Sequence, residues 1–300
     1  MSYFKAGLVF LLISRMILPV DAQTRMIDLD SIKFKVYHND LSARKENHPA
    51  LIFENGWGAK LENWEPIIGQ IGQHEVVFTY DRSGIGGSEY DEQEPTLQHT
   101  AENLHNLLIR SGIPPPYILI GHSLGGVYVR AFAGLYPEEV VGLVFVDPAD
   151  FTETKEDWET PFRQAGVPEK KINEMLFDRL YTDQVDEDMP VPLRKELEVL
   201  KGWRKVDFAE LREMPLPKIP LYFFMGGKFD VPPAYRSKDL DQEALFGYRK
   251  RQWTDRWYTL IDEVGEGGAL IYVSNAGHFV HRDNPKVVID NILSLAGRFH

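Results

Sequence analysis

The chain contains no cysteine in its 300 residues, which excludes disulfides, thiolate metal sites, a cysteine nucleophile and lipoprotein anchoring together. An exported chain without crosslinks needs a core large enough to be stable by itself, and this length supplies one. That combination suits a bacterial periplasmic or extracellular enzyme. Positive charge is also scarce: 33 Lys and Arg stand against 45 Asp and Glu, a net charge of -12. Such a surplus repels phosphates, so a nucleic-acid partner and docking on anionic membranes are both disfavoured. Apolar runs are short except near the N-terminus. There Lys5 precedes apolar stretches over residues 6–13 and 16–20, and Val20-Asp21-Ala22 offers small residues at the -3 and -1 positions of a cut after Ala22. Residues 1–22 are expected to be a cleaved signal peptide for secretion or periplasmic export, with an N-terminal membrane anchor as the alternative. Arg15 interrupts the run, leaving it short of the ~20 apolar residues of a span. The mature chain is expected to carry no membrane span.

What is present is an alternation. Residues 32–37 alternate polar and apolar as a half-buried strand does, and apolar runs at 50–53, 75–80, 117–120, 140–146, 221–225 and 269–273 end in turn residues. Helical patterns lie between them. Thr96 to Arg110 carries Leu97, Leu104, Leu107 and Leu108 on one face, with Thr96 as cap and Gly112 and Pro114 as stop. Leu124 to Tyr136 is apolar nearly all round, and Lys286 to Ala296 is entered through Pro285. Strands alternating with helices imply a mainly parallel α/β sheet with right-handed crossovers. In such sheets ligand sites form at the C-terminal strand ends. Residues 151–218 break the pattern with charge, proline and amphipathic helices expected at 170–181 and 193–203. They read as a helical cap inserted into a core of 23–150 and 219–300.

The sharpest chemical signal is Gly121-His122-Ser123-Leu124-Gly125. A chance G-x-S-x-G arises in about one chain in ten of this length, so the context carries the argument. A strand runs directly into the serine and a small-residue helix follows. A serine on such a turn is strained, with its hydroxyl projecting at the sheet end and the helix N-terminus favouring nearby negative charge.

Together these features resemble the α/β-hydrolase superfamily, from about Leu51 to the C-terminus. The resemblance implies an α/β-hydrolase fold and a nucleophile–acid–histidine order along the chain. Ser123 would be the nucleophile. His278 follows the last strand in Ala276-Gly277-His278-Phe279 and would be its base, with His281 the nearby decoy. The acid is expected at Asp230, in a turn similar to the family's Gly-x-x-Asp, with Asp147 as the alternative, where some relatives place it. The oxyanion donors would be the backbone N–H groups of Leu124 and of Trp57, in Asn55-Gly56-Trp57-Gly58, where relatives usually show His-Gly. The stretch Asp81-Arg82-Ser83-Gly84 resembles a structural turn of the family, with Asp81 and Arg82 expected to pair locally. No lysine makes it a phosphate loop.

The expected activity is hydrolysis of a carboxylic ester or similar acyl bond on a small-molecule substrate, through an acyl-enzyme. Neither cofactor nor metal is expected, since His278 and His281 lack an apparent third ligand. Candidate pocket-lining residues are Trp158, Phe162, Met175, Leu176, Phe177, Tyr181 and Trp203. One alternative is a proline-type aminopeptidase, holding an ammonium group with Asp183, Asp186, Glu187 and Asp188. Another is a non-catalytic receptor on the same scaffold. Ser123 argues against the aspartate-nucleophile epoxide hydrolases and dehalogenases. Oligomeric state is not legible.

Overall fold

The structure is a computed structural model that describes residues 24–42, 44–182, 188–238 and 240–299. The expected signal peptide therefore lies outside the described residues, apart from its flank. Eight strands form one sheet: β1 (Arg25–Leu29), β2 (Ile32–His38), β3 (Ala50–Glu54), β4 (Val77–Tyr80), β5 (Tyr117–His122), β6 (Val140–Val146), β7 (Leu221–Gly226) and β8 (Ala269–Val273). Their order is β1-β2-β4-β3-β5-β6-β7-β8. Only the pairs β1–β2 and β2–β4 are antiparallel, and every pair from β4 to β8 is parallel.

The continuous apolar runs are explained by burial on both faces. Alternate residues of each inner strand enter opposite cores. Ile52, Leu119, Phe145 and Phe223 face one layer of helices. Leu51, Ile118, Val144 and Phe224 face the other. The first layer holds α2 (Leu97–Arg110) and α3 (Leu124–Leu135); the second holds α1 (Glu65–Ile71) and α10 (Pro285–Ala296), with short α9 (Val280–Asp283) leading into α10. Thr96 caps α2 as expected, its side chain accepting from His99 N–H at 3.1 Å. Four helices lie between β6 and β7: α4 (Lys155–Gln164), α5 (Glu169–Tyr181), α6 (Val191–Lys205) and α7 (Ala209–Glu213). Between β7 and β8 runs α8 (Gln242–Val264), the longest helix. Its Trp257 is fully buried against Phe223, while its Leu245 joins Trp158, Phe162 and Ile172 of the insertion in a separate apolar cluster. One helix thus ties the insertion to the sheet. Strand β1 and helices α1 and α8 were not anticipated from the sequence pattern.

The turn from β5 into α3 is packed backbone against backbone. A Cβ on Gly125 would stand 2.4 Å from the carbonyl oxygen of Glu54, at the end of β3. Gly125→Ala is expected to cost about 1–3 kcal/mol through overpacking, read as a thermal midpoint lowered by several degrees. An unchanged midpoint would refute the close packing.

Below this turn, His122 and His281 are almost fully buried. Burial pulls His281 down to about 3, helped by the Arg282 guanidinium. Burial also holds His122 well below its ordinary value. Both rings are neutral in the folded chain, whereas in the unfolded chain they take up protons below about pH 6.5. The contribution of His281 is fully present above that pH and drains away toward about 3, at about 1.4 kcal/mol per pH unit, and His122 acts in the same direction. In urea unfolding between about pH 6 and 4, His281→Gln should flatten the fall in stability by roughly that slope. A parallel pH profile in the variant would contradict the burial argument.

Candidate active site

Every predicted site residue lies at a C-terminal strand end, but they do not all converge. Ser123 joins β5 to α3 with φ 52° and ψ -121°, a left-handed conformation costly for a residue with a Cβ. The strain is held by hydrogen bonds around it. Ser123 N–H donates to Val146 O at 3.2 Å, and Ser123 O accepts from Gly126 N–H at 3.0 Å and Ala149 N–H at 2.9 Å. The side chain is thereby presented above the sheet.

His278 follows β8. Its Nδ1 lies 2.8 Å from Asp147 Oδ2, directly past β6. The ring therefore pairs with Asp147, the alternative acid, and not with Asp230. Asp230 is exposed and faces Lys228 at 3.4 Å, and it forms no hydrogen bond or ion pair with His278 among the described residues. Asp147 is built to hold a charge. Its N–H donates to Phe224 O, locking a backbone φ of 42°. Its Oδ1 accepts from Gly226 N–H at 2.9 Å and from the Lys250 ammonium at 3.2 Å. Burial raises the Asp147 carboxyl, but the His278 hydrogen bond, the Lys250 charge and the Gly226 N–H outweigh it and hold its pKa below the ordinary value. The carboxylate therefore stays ionised beside the imidazole.

No hydrogen bond joins Ser123 Oγ to His278 among the described residues. Such contacts are commonly long in unliganded sites and tighten around substrate. His281 is excluded as the base by position: it is fully buried, with Nε2 3.3 Å from Asn63 Oδ1.

Leu124 is the first residue of α3, so its N–H has no partner within the helix. The loop after β3 runs alongside: a Cβ on Gly56 would stand 3.2 Å from Ser123 Cβ. Trp57 follows, and its backbone N–H has no hydrogen bond among the described residues. Its indole is directed to the insertion instead, donating to Leu193 O at 2.9 Å.

That loop is clamped by a charge cluster that the sequence reading had assigned differently. Arg82 does not pair with Asp81, whose carboxylate accepts from the N–H groups of Leu61 and Gly87. The Arg82 guanidinium is buried between Glu54 at 2.6 Å and Glu196 of α6 at 2.6 Å. It also donates to the carbonyl oxygens of Asn55 and Gly56, while Glu196 accepts from Gly58 N–H at 3.0 Å. Burial would pull Arg82 down, but the two carboxylates raise it well above its ordinary value. Burial pushes the Glu54 carboxyl up even against Arg82. A signal for this cluster was available: Glu54 ends an otherwise apolar buried strand, and a buried carboxylate needs a partner. Lys250 had no such signal, lying between Arg249 and Arg251 in a helix with several cations.

Of the expected lining residues, Trp158, Phe162 and Met175 do border a cavity beneath the insertion, Phe177 and Tyr181 are exposed, and Trp203 packs edge-on against Tyr128. Asp183, Asp186 and Glu187 lie outside the described residues, and Asp188 is exposed. No group of three or more metal-ligating side chains occurs among the described residues.

Comparison with known proteins places this geometry. Residues 51–291 match the Alpha/beta hydrolase family. The chain is 24% identical over 243 residues to the uncharacterized protein YqjL of Bacillus subtilis, covering 79% of each. It is 31% identical over 111 residues to the pimeloyl-[acyl-carrier protein] methyl ester esterase of Pseudoalteromonas atlantica, covering 37% of this chain and 41% of that one. Among solved structures, the epoxide hydrolase CorEH superimposes with a TM-score of 0.60 at 18% identity, over 92% of this chain and 99% of the other. With its sheet order, its strained strand-to-helix serine and this match over most of its length, the chain belongs to the α/β-hydrolase family.

Proposed function

We propose that this hydrolase cleaves a carboxylic ester or similar acyl bond through a covalent acyl-enzyme, with Ser123 as nucleophile, His278 as base and Asp147 as acid. The observation that carries this reading is the imidazole–carboxylate pair standing at the same sheet end as a serine held at φ 52°. His278 Nε2 takes the Ser123 hydroxyl proton as Oγ bonds to the substrate carbonyl carbon. Asp147, on Nδ1, fixes the tautomer and steadies the imidazolium. The developing oxyanion accepts from the N–H groups of Leu124 and Trp57. The imidazolium then protonates the leaving alkoxide, and the ester bond breaks. Water then gives a proton to His278 as its oxygen bonds to the acyl carbon, the bond from that carbon to Ser123 Oγ breaks, and His278 returns the proton to Oγ as the acid leaves. Residues 1–22 would deliver this chemistry outside the cytoplasm. Helices α4 to α7 would act as the cap.

The aminopeptidase alternative needs carboxylates to hold an ammonium group; the charged residues lining the cavity beneath the insertion are cations except for Asp178. No observation favours a receptor.

Ser123→Ala and His278→Ala should abolish hydrolysis of p-nitrophenyl esters across a series of acyl lengths, with circular dichroism unchanged. Asp147→Asn should lower kcat about 10³–10⁴-fold by spoiling the tautomer, while Asp230→Asn should stay close to wild type. The reverse order of the two aspartates would return the acid to Asp230, and activity surviving Ser123→Ala would remove the mechanism. Glu196→Ala would leave Arg82 and Gly58 N–H short of an acceptor. It should cost about 3–5 kcal/mol in urea unfolding and lower kcat at least about tenfold through a displaced oxyanion loop. Glu196→Gln should recover part of both. A stability loss with kcat intact would separate the clamp from the oxyanion loop.

A further inference from the structure

A concavity lies between the insertion and α8, with a volume of about 770 Å³, within the usual range for small-molecule sites. Its walls are apolar, with Trp158, Phe246 and Trp253 among them. Set into them are five cations, Arg179, Lys201, Arg204, Arg249 and Lys250, against a single carboxylate, Asp178. This is the reverse of the chain as a whole, whose net charge is -12.

Three of the cations are accounted for. Arg179 pairs with Glu153 at 2.6 Å, Lys201 donates to Thr182 O at 2.6 Å, and Lys250 reaches Asp147. The other two are not. Neither Arg204 nor Arg249 has a carboxylate partner among the described residues, and Arg249 Nε is buried without an acceptor. The Arg249 guanidinium rests instead on the faces of Phe162 and Trp158, 5.0 and 5.8 Å from the ring centroids. Asp150, whose charge also acts on Arg204, is paired with Arg256. Burial, helped by the neighbouring Arg179 guanidinium, lowers Arg204 to about 10 against the pull of Glu153. Crowded, partly desolvated cations with no direct ion pair, the nearby Glu153 being bound to Arg179, are costly, and an oxyacid group is the chemistry that relieves them, because a guanidinium fork matches its paired oxygens.

The cavity touches the reaction centre through one residue. Lys250 lines it and also holds Asp147 Oδ1, whose other oxygen faces His278. We infer that this cavity is the substrate subsite for an anionic group, and that the ester cleaved carries a carboxylate or phosphate on an apolar stem, gripped by Arg204 and Arg249. This rests on the acyl-hydrolase reading above. The apolar walls would take the stem, and the guanidiniums its charged end.

The test compares two esters of equal acyl length, mono-p-nitrophenyl adipate and p-nitrophenyl hexanoate, and separately titrates the Ser123→Ala protein with adipate and with inorganic phosphate by calorimetry. Wild type should prefer the adipate ester at least about tenfold in kcat/KM, roughly one charge-assisted contact. That ratio should collapse in Arg204→Gln/Arg249→Gln and largely persist in Arg249→Lys, which keeps the charge and guards against a folding artefact. Adipate or phosphate should bind Ser123→Ala, and the stronger of the two identifies the oxyacid. Hydrolysis of both esters without preference, and with no heat from either anion, overturns the inference and leaves the hydrolase reading standing. Anion binding without cleavage of any ester does the opposite: the subsite stands and the reaction assigned to it falls.

Discussion

A guanidinium held out of water between two carboxylates is the constraint on which the site's geometry rests. Arg82 joins three parts of the fold that covalent connectivity leaves far apart: Glu54 at the end of β3, the carbonyls of the following loop, and Glu196 on α6 of the insertion. Its cluster carries one positive and two negative formal charges, so burial forces a choice. Glu54 is the member pushed toward neutrality, and Tyr80 OH at 2.7 Å and Asn55 N–H at 3.0 Å supply the hydrogen bonds that let it keep its charge. Replacing such a cluster with apolar groups often stabilises a protein, so its presence here is better explained by positioning. The loop must present N–H groups toward Ser123 while its own carbonyls turn away, and Arg82 is what those carbonyls turn toward.

The same logic governs the strained residues. Ser123 and Asp147 both adopt positive φ without being glycine, and each is fixed by a bond to a neighbouring strand end: Ser123 to Val146, and Asp147 to Phe224. A parallel sheet makes this possible because all its C-terminal ends finish on one side. Strain is tolerated where the ladder on both flanks over-determines the turn. Ser123, Asp147 and His278 are thus placed by the sheet, while the loop after β3 is placed by the sheet and the insertion together.

Much of this was legible beforehand. Six of the eight strands announced themselves as apolar runs, because strands buried on both faces have few polar positions, and β2 announced itself by alternation. The edge strand β1, Arg25–Leu29, is mostly exposed and neither alternates nor forms an apolar run, so it lacked both signatures. Helix α8 was invisible for a related reason. Its buried residues are few for its length, with Leu245 and Trp257 at separate ends serving different partners, so no single apolar stripe runs along it. Ser123 and His278 were marked by their turns. The acid was not, because both Asp147 and Asp230 follow a strand at the right end of the sheet. What separates them is burial and the supply of donors, with Gly226 N–H and Lys250 converging on one and only Lys228 facing the other. No local spacing encodes that difference.

Charge teaches the same lesson on a larger scale. A net charge of -12 legitimately argues about long-range partners, since distant repulsion from phosphate polymers sums over the whole surface. It does not describe a cavity. Beyond about 8 Å at physiological salt, exposed charges are largely screened, so the surface carboxylates contribute little where Arg204 and Arg249 lie. In the low-dielectric space between insertion and α8, a few unscreened cations dominate. Lys250 stands at the border between the two regimes, facing the cavity on one side and the Asp147 carboxylate on the other. The ionised state of Asp147 and the potential of the cavity are therefore set by one shared group. A pocket assembled from the inserted helices α4 to α6 and the core helix α8 is in this way electrically continuous with chemistry built on the sheet.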